Sequence, residues 1–336
     1  MSPTPNTRPV KWGVIGCGII ARNAVCPAIN VSHGGELVAV ASRTAKRAAQ
    51  LAEEVHAPRS HGSYEALLDD PEVEAVYIGL PNGLHPEWSI RSSEAGKHVL
   101  CEKSLSLGAE SARRMAEAAD RSNVRLMEAY MYRHHPQWET ARSLIAEGAI
   151  GEPRFVRAAL VGNLSRDGEN HRWSKEIGGG ALFDVTCYAI NMARFLFNAE
   201  PVSVQTSGTE WEPGGVDKTT TVLLDFGEER TAVATGSLAL FRDQFCAVLG
   251  TEGAIHLERP VHPGREPARI LLRNGKGEKT IETPGANHYL QMVEHFSACV
   301  HDPGQSLYPG EEGVAQMKVL AAAEEAWRSG TARPVS

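Results

Sequence analysis

Residues 11–21 read Lys-Trp-Gly-Val-Ile-Gly-Cys-Gly-Ile-Ile-Ala. A short apolar strand runs into Gly16 and Gly18 and then into the small residue Ala21, the G-x-G-x-x-A form of a dinucleotide fingerprint. The first glycine permits a tight turn. The second lets a backbone approach a pyrophosphate with no Cβ in the way, and the third small residue lets the following helix pack close to the strand. That helix aims its unpaired N–H groups and positive dipole end at phosphate. Gly16, Cys17, Gly18, Ile19 and Ile20 are therefore expected to cradle a nucleotide. Glycine-rich turns are common, so the surroundings must decide.

Those surroundings alternate strand with helix. Strands are expected at residues 37–42, 75–80, 98–101 and 124–129, all short apolar runs of the kind buried on both faces of a sheet. Helices are expected at 19–30, 45–55, 64–68, 86–95 and 109–119. Alternation of this regularity means a parallel sheet with right-handed crossovers. The fold class is thus α/β, with a Rossmann dinucleotide-binding domain over residues 8–130.

The chain has 336 residues, room for two domains, and 42% hydrophobic residues. Its net charge of −7, with no polybasic tail, argues against a nucleic-acid partner. No apolar run is long enough to span a bilayer, so no membrane partner is expected. Residues 1–10 are polar, carry three prolines and read as a disordered lead-in. None of the six cysteines forms C-x-x-C or sits beside a histidine at metal-ligand spacing. They read as buried free thiols in a reducing cytoplasm, with no metal site.

In an open parallel sheet, ligands bind outside the carboxyl ends of the strands. The second strand ends Ser42-Arg43-Thr44, with no acid to hold a ribose 2′-hydroxyl. Ser42 and Thr44 can donate hydrogen bonds to a 2′-phosphate and Arg43 can pair with it, which favours NADP with NAD still possible. Thr44 or Ser42 capping the next helix is the plainer account of the same residues. Leu80, Pro81, Asn82 and His85 follow another strand end and join the cofactor set; His85 could equally be a capping or surface histidine. After residues 98–101 come Glu102 and Lys103. A lysine there can stabilise a developing alkoxide, with Glu102 orienting it, while a surface ion pair is the simpler reading.

The second half changes character. After a helix at 137–147, strands are expected at 155–161, 202–206, 219–226, 231–240, 245–250, 254–257 and 270–273, separated by turn-rich pieces. This predicts an α+β domain over residues 131–336 with a mostly antiparallel sheet, one face on helices and one open. Terminal helices are expected at 287–300, where Asn287 reads as an N-cap, and at 311–328. Gly178-Gly179-Gly180 opens a helix running to about residue 197. Asp184 and Tyr188 stand at i and i+4 on it and share a face. A core tyrosine and a first-turn acid would look the same. His171, Arg172 and Trp173 precede the glycines, and the neighbours His134 and His135 point too far apart to share a metal.

Taken together, Gly16-Cys17-Gly18-Ile19-Ile20-Ala21, Pro81-Asn82 with His85, residues 95–103 (Ala-Gly-Lys-His-Val-Leu-Cys-Glu-Lys) and residues 128–137 (Glu-Ala-Tyr-Met-Tyr-Arg-His-His-Pro-Gln) resemble the Gfo/Idh/MocA oxidoreductases. The resemblance is nearest the glucose-fructose oxidoreductase, dihydrodiol dehydrogenase and xylose dehydrogenase branch, and runs from about Val10 onward. It implies that Lys103 and Tyr188 form a catalytic pair, with Asp184 beside them and Tyr130, Arg133 and Trp173 toward substrate. It implies hydride transfer between NADP and a secondary alcohol or ketone of a sugar, cyclitol or cyclic diol. Reduction of a nucleotide-linked keto-sugar, or a non-catalytic NADP-binding regulator, are the alternatives. It also implies a homodimer or homotetramer through the open sheet. One residue departs from the family's Glu-Lys-Pro: Ser104 stands where proline would fix φ and tolerate a cis bond cheaply.

Overall fold

The computed structural model describes residues 8–164, 170–302 and 308–336. The chain divides into two compact units, Met1–Met131 with His288–Val314, and Tyr132–Asn287 with Ala315–Ser336. The second unit is therefore not the unbroken stretch 131–336 that the sequence suggests. A helix near the C-terminus belongs with the nucleotide fold.

In the first unit, β1 (Val10–Ile15), β2 (Gly35–Ala41), β3 (Arg59–His61), β4 (Ala75–Ile78), β5 (His98–Cys101) and β6 (Leu126–Glu128) form a parallel sheet in the order β3-β2-β1-β4-β5-β6. The strand order reverses between β1 and β4, which puts the switch point at the end of β1. Helices α1 (Cys26–Val31), α2 (Ala45–Val55), α3 (Tyr64–Leu68), α4 (His85–Glu94) and α5 (Ala109–Arg121) make the crossovers. Strand β3 escapes the sequence reading because Arg-Ser-His is short and polar. The expected strand 75–80 stops at Ile78, and Gly79 and Leu80 turn into the loop beyond it.

Trp12 shows how the C-terminal helix α8 (His288–His301) is recruited. A tryptophan in a strand buries a large ring but must satisfy its N–H. Trp12 is fully buried, packs on Phe296 at 5.2 Å and donates to the Ser297 hydroxyl at 3.3 Å. Glu294, one turn earlier, accepts the N–H groups of His33 (2.6 Å) and Gly34 (3.0 Å) at the entry to β2. At the other end, Val10 already lies in β1 and Arg8 pairs with Glu74 at 2.7 Å. The expected lead-in thus ends before Arg8, and the rest of that expectation lies outside the described residues.

In the second unit, α6 (Pro136–Ala146) precedes β7 (Pro153–Asn163). A π-helical turn (Leu182–Thr186) then leads into α7 (Cys187–Phe197). The remaining strands are β8 (Ser203–Glu210), β9 (Asp217–Gly227), β10 (Arg230–Ser237), β11 (Ala239–Gly250), β12 (Gly253–Leu257), β13 (Ala268–Asn274), β14 (Gly277–Thr283) and β15 (Arg333–Pro334). Helix α9 (Gly310–Ser329) starts in the first unit and ends in the second. The sheet order is β14-β13-β12-β11-β7-β10-β9-β8-β15, and every pairing is antiparallel except β7 with β10. The expected strand 231–240 is two strands, broken at Leu238. Strand β14 was missed because its polar, exposed residues carry no apolar alternation.

One face of this sheet presents Val156, Ala158, Ala232, Val222 and Leu224, all buried. The other presents Leu223, Phe245 and Leu249, which remain between a third and a half exposed. The one-covered, one-open sheet that the sequence implies is therefore what forms. All six cysteines are free thiols, as expected, though Cys17 is only half-buried.

Candidate active site

The glycine loop sits at the switch point. Gly16 donates to the Ala41 carbonyl at 3.0 Å, and Gly79 donates to the Ile15 carbonyl at 2.9 Å, so β1, β2 and β4 end together. Gly16 is at φ +101°, and a Cβ there would lie 2.5 Å from the Gly79 carbonyl oxygen. The chain's own packing thus demands glycine at 16. Gly18 differs: its Cβ would meet only that oxygen, at an ordinary 3.6 Å. Its bareness serves no contact within the protein. Ile19 is 76% exposed beside it, while Ala21 is buried against the strand as expected. An open glycine and a bare isoleucine at a helix N-terminus fit a dinucleotide lying across them. The helix enters through a π turn (Ala21–Val25) before α1, where a plain α-helix from residue 19 was expected.

This contrast yields a test. Gly16→Ala should destabilise the fold by about 1–3 kcal/mol through backbone strain. Gly18→Ala should leave stability within about 0.5 kcal/mol. If the pyrophosphate approaches Gly18, the added methyl should nonetheless raise the Kd of the dinucleotide about tenfold. Thermal melts without cofactor and fluorescence titration with NADPH separate the two effects.

At the end of β2, Ser42 is buried, and the Thr44 hydroxyl accepts the Arg47 N–H at 3.4 Å as the N-cap of α2. Thr44 is therefore engaged as a cap, and the exposed Arg43 is left as the charged group of the trio. Arg43 and Arg47 both act electrostatically on Tyr64, which places two cations near this strand end where the sequence singled out one.

The His85 side chain is neither a helix cap nor at the surface. It is fully buried, with Nδ1 at 2.9 Å from the Ser104 carbonyl oxygen and Nε2 at 2.8 Å from that of Leu80. Its ring ties together the two loops that leave β4 and β5. The Lys103–Ser104 peptide bond is cis. Glu102 is half-buried: Oε1 accepts the Tyr77 hydroxyl at 2.8 Å and Oε2 accepts the Lys103 N–H at 3.2 Å. Burial pushes the Tyr77 hydroxyl well above its ordinary pKa, and the neighbouring Glu102 charge adds to this. Tyr289 is raised for the same two reasons. Asn82 and Tyr130 are buried in this unit.

In the second unit, Gly180 (φ +98°) leads into the helix of Asp184 and Tyr188. Arg172 Nε pairs with Asp184 Oδ2 at 2.6 Å, and both side chains keep some solvent access. Tyr188 is 6% exposed, with its ring 6.0 Å from that of Tyr132. The first turn is π-helical, so the α-helical i, i+4 reading holds only in its later part; such turns recur at functional sites. Behind the helix, the Asn191 Oδ1 accepts from the Tyr132 hydroxyl (2.6 Å) and Arg133 Nε (2.8 Å), and its amide nitrogen donates to Gln316. Arg133 also lies over the Phe195 ring at 4.9 Å. It is buried and supports the helix through Asn191. Trp173 meets Trp211 edge-on at 5.6 Å, and Trp211 has no signature in the sequence. His135 is buried and its pKa is pushed down to about 4 by burial, with Arg259 adding to it; its Nδ1 caps α6. Among the described residues no three His, Cys, Asp or Glu side chains gather as metal ligands.

Residues 10–130 match the family described as an oxidoreductase family with an NAD-binding Rossmann fold, and residues 138–256 match the GFO/IDH/MocA C-terminal domain. The chain belongs to the Gfo/Idh/MocA oxidoreductases. Among its relatives, D-xylose 1-dehydrogenase (NADP(+)) 2 of Haloferax volcanii is 33% identical over 324 residues, covering 96% of this chain and 99% of the relative. Trans-1,2-dihydrobenzene-1,2-diol dehydrogenase of Xenopus laevis is 34% identical, covering 80% of each. Among solved structures, a 3-ketoreductase from Actinomadura kijaniata in complex with NADP and TDP-benzene superposes with a TM-score of 0.89 at 28% identity, covering 95% of this chain and 98% of that one. The resemblance inferred from the motifs is thereby established, as is the family's chemistry of oxidation and reduction. Among the described residues no helix is long and apolar enough to cross a membrane.

Proposed function

We propose that this chain is an NADP-dependent oxidoreductase acting on a secondary alcohol or ketone of a sugar, cyclitol or cyclic diol, with Lys103 and Tyr188 as its catalytic pair. The observation that carries the reading is the cluster on the second unit's helix: Tyr188, and Asp184 held by Arg172. When bound, the nicotinamide supplies or accepts the hydride. The residues do the rest. The Gly16–Gly18 loop receives the pyrophosphate, and Ser42 and Arg43 favour a 2′-phosphate at a strand end that lacks an acid. The Tyr188 hydroxyl exchanges the substrate's proton. The Lys103 charge favours the ionised phenol and the developing alkoxide. Asp184, oriented by Arg172, accepts hydrogen bonds from substrate hydroxyls, and Trp173 offers a ring face to the sugar.

The open sheet face supports a homodimer or homotetramer, which a solution mass of two or four chains would bear out. The free thiols suit the cytoplasm.

The test is NADP and NAD reduction against a panel of aldoses, cyclitols and cyclic diols. Turnover with at least one of them, faster with NADP, is the expected result. A second reading, reduction of a nucleotide-linked keto-sugar, draws on the likeness to the Actinomadura 3-ketoreductase. Failure of the whole panel together with NADPH oxidation by a keto-sugar nucleotide would favour it. A non-catalytic regulator would turn over neither, and the presence of both Lys103 and Tyr188 argues against that.

A further inference from the structure

The helix that carries Asp184 and Tyr188 begins without a local cap. Ala181, at its N-cap position, makes no side-chain hydrogen bond. A helix start buried in this way needs an acceptor for its first N–H groups. The acceptor comes from β9, 35 residues away: Asp217 Oδ2 takes the Leu182 N–H at 2.7 Å and is also bonded by the Thr220 hydroxyl. Gly180 lies directly against the same carboxylate, where a Cβ would overlap it. Asp217 is 4% exposed.

We infer that Asp217 is a positioning residue: through Gly180 and Leu182 it seats the turn from which Asp184 and Tyr188 project. This rests on the reading of Asp184 and Tyr188 given above. No motif draws attention to Asp217, which lies just before the strand as read from the sequence.

The carboxylate is also poised to titrate. Burial, the largest influence, pushes its pKa up to about 6, against the lowering effect of the Thr220 and Leu182 hydrogen bonds. The charges around it are few. Glu324 on α9 raises it further. Glu210, its register partner on β8, turns its carboxylate to the Gly214 N–H. On β10 the adjoining register pair, Thr219 with Ser237, is uncharged. Within the helical turn, Asp184 is paired with Arg172. Lys218 is the sequence neighbour.

Stability and activity then respond in opposite senses. An acid whose pKa is raised on folding binds more protons folded than unfolded, so its contribution to stability falls as pH rises from about 4 through about 6. The ionised form nevertheless accepts the Leu182 N–H more strongly, because the bond is charge-assisted. Lowering the pH through about 6 should therefore loosen the seat and lower kcat while the KM for cofactor stays level.

Three variants test this. Asp217→Asn keeps an acceptor and removes the titration. Its kcat should be close to the low-pH level of wild type at every pH, since asparagine offers an uncharged acceptor to the Leu182 N–H. Its kcat should lose the acid limb near pH 6, and its melting temperature should gain on wild type between pH 5 and pH 7. Thr220→Val removes a hydrogen bond that holds the pKa down, so the acid limb should move to higher pH. Asp217→Ala should lower kcat by about ten- to a hundredfold through misplacement of the turn. It should also speed hydrogen exchange at the amides of residues 182–188 about tenfold or more. The exchange measurement needs no substrate, so the seat can be tested even if the catalytic reading of Tyr188 fails. An acid limb that persists unchanged in Asp217→Asn, or exchange in Asp217→Ala matching wild type, overturns the inference.

Discussion

Tyr188→Phe is expected to lower kcat by about 10²- to 10⁴-fold, the span seen when a positioned general acid or base is lost. The Kd for NADPH should stay within about threefold, because the change removes transition-state stabilisation and not cofactor binding. The substitution suits the question because it deletes one oxygen and keeps the ring. That ring is buried beside Tyr132 on a helix whose seat is built by other residues: Asn191 with Tyr132, Arg133 and Gln316 behind it, and Asp217 at its start. Circular dichroism and thermal melting should therefore match wild type closely. Stopped-flow hydride transfer and equilibrium titration with NADPH measure the two quantities. Turnover equal to wild type would remove Tyr188 from the proton-transfer role, whatever substrate is used.

What could be read from the sequence, and what could not, divides by contact range. The glycine loop was legible because its geometry is local: a turn, a positive φ and a helix start lie within six residues of each other. The helix of Asp184 and Tyr188 was legible locally too, but its π-helical first turn, which carries Asp184, was not. The alternating strands of the first unit carried their fold in short apolar runs, as parallel strands buried on both faces must. The residues that hold these parts in place were not legible. His85 joins Leu80 and Ser104, and nothing in the spacing of the three distinguishes a buried tie from a surface histidine. Arg133 sits in a motif suggestive of substrate, and its hydrogen bond to Asn191, far along the chain, has no local signature. The recruitment of α8 to the first unit depends on Trp12 finding Phe296 and Ser297, a contact nearly the length of the protein away. Polarity misled in the same way: β3 and β14 are strands because their neighbours offer paired edges, not because their own residues prefer it.

Electrostatics sharpen the reading of the first unit's strand ends. Glu102 was expected to orient Lys103, and it contacts the lysine's backbone N–H while accepting the Tyr77 hydroxyl. Its carboxylate helps to shape the loop, and burial, with the Glu102 charge adding to it, holds the pKa of Tyr77 and of Tyr289 above the ordinary value. The main chain of Lys103 is held on both sides, by Glu102 before it and by the His85 contact to the Ser104 carbonyl after it.

That fixed main chain makes Lys103→Met the second decisive substitution. Methionine matches the length and apolar stem of lysine and removes only the charge and the donors. If Lys103 stabilises an alkoxide, kcat/KM should fall by about 10²- to 10³-fold, the loss expected when one donor to a developing oxyanion is removed. The pH profile gives the more specific sign. If the Lys103 charge acts on the phenol it favours the ionised form, so in the wild type the alcohol-oxidising rate should begin to climb at lower pH than it would without the lysine. In Lys103→Met that rising limb should move to higher pH. Lys103→Arg should recover the position of the limb more fully than the rate, because a guanidinium restores the charge but presents its donors in a rigid plane. A purely structural lysine would give a different result, with rate and melting temperature falling together and the limb unmoved. The pH profile of Lys103→Met measured beside that of Lys103→Arg therefore decides whether the charge at the end of β5 acts on the proton-transfer step.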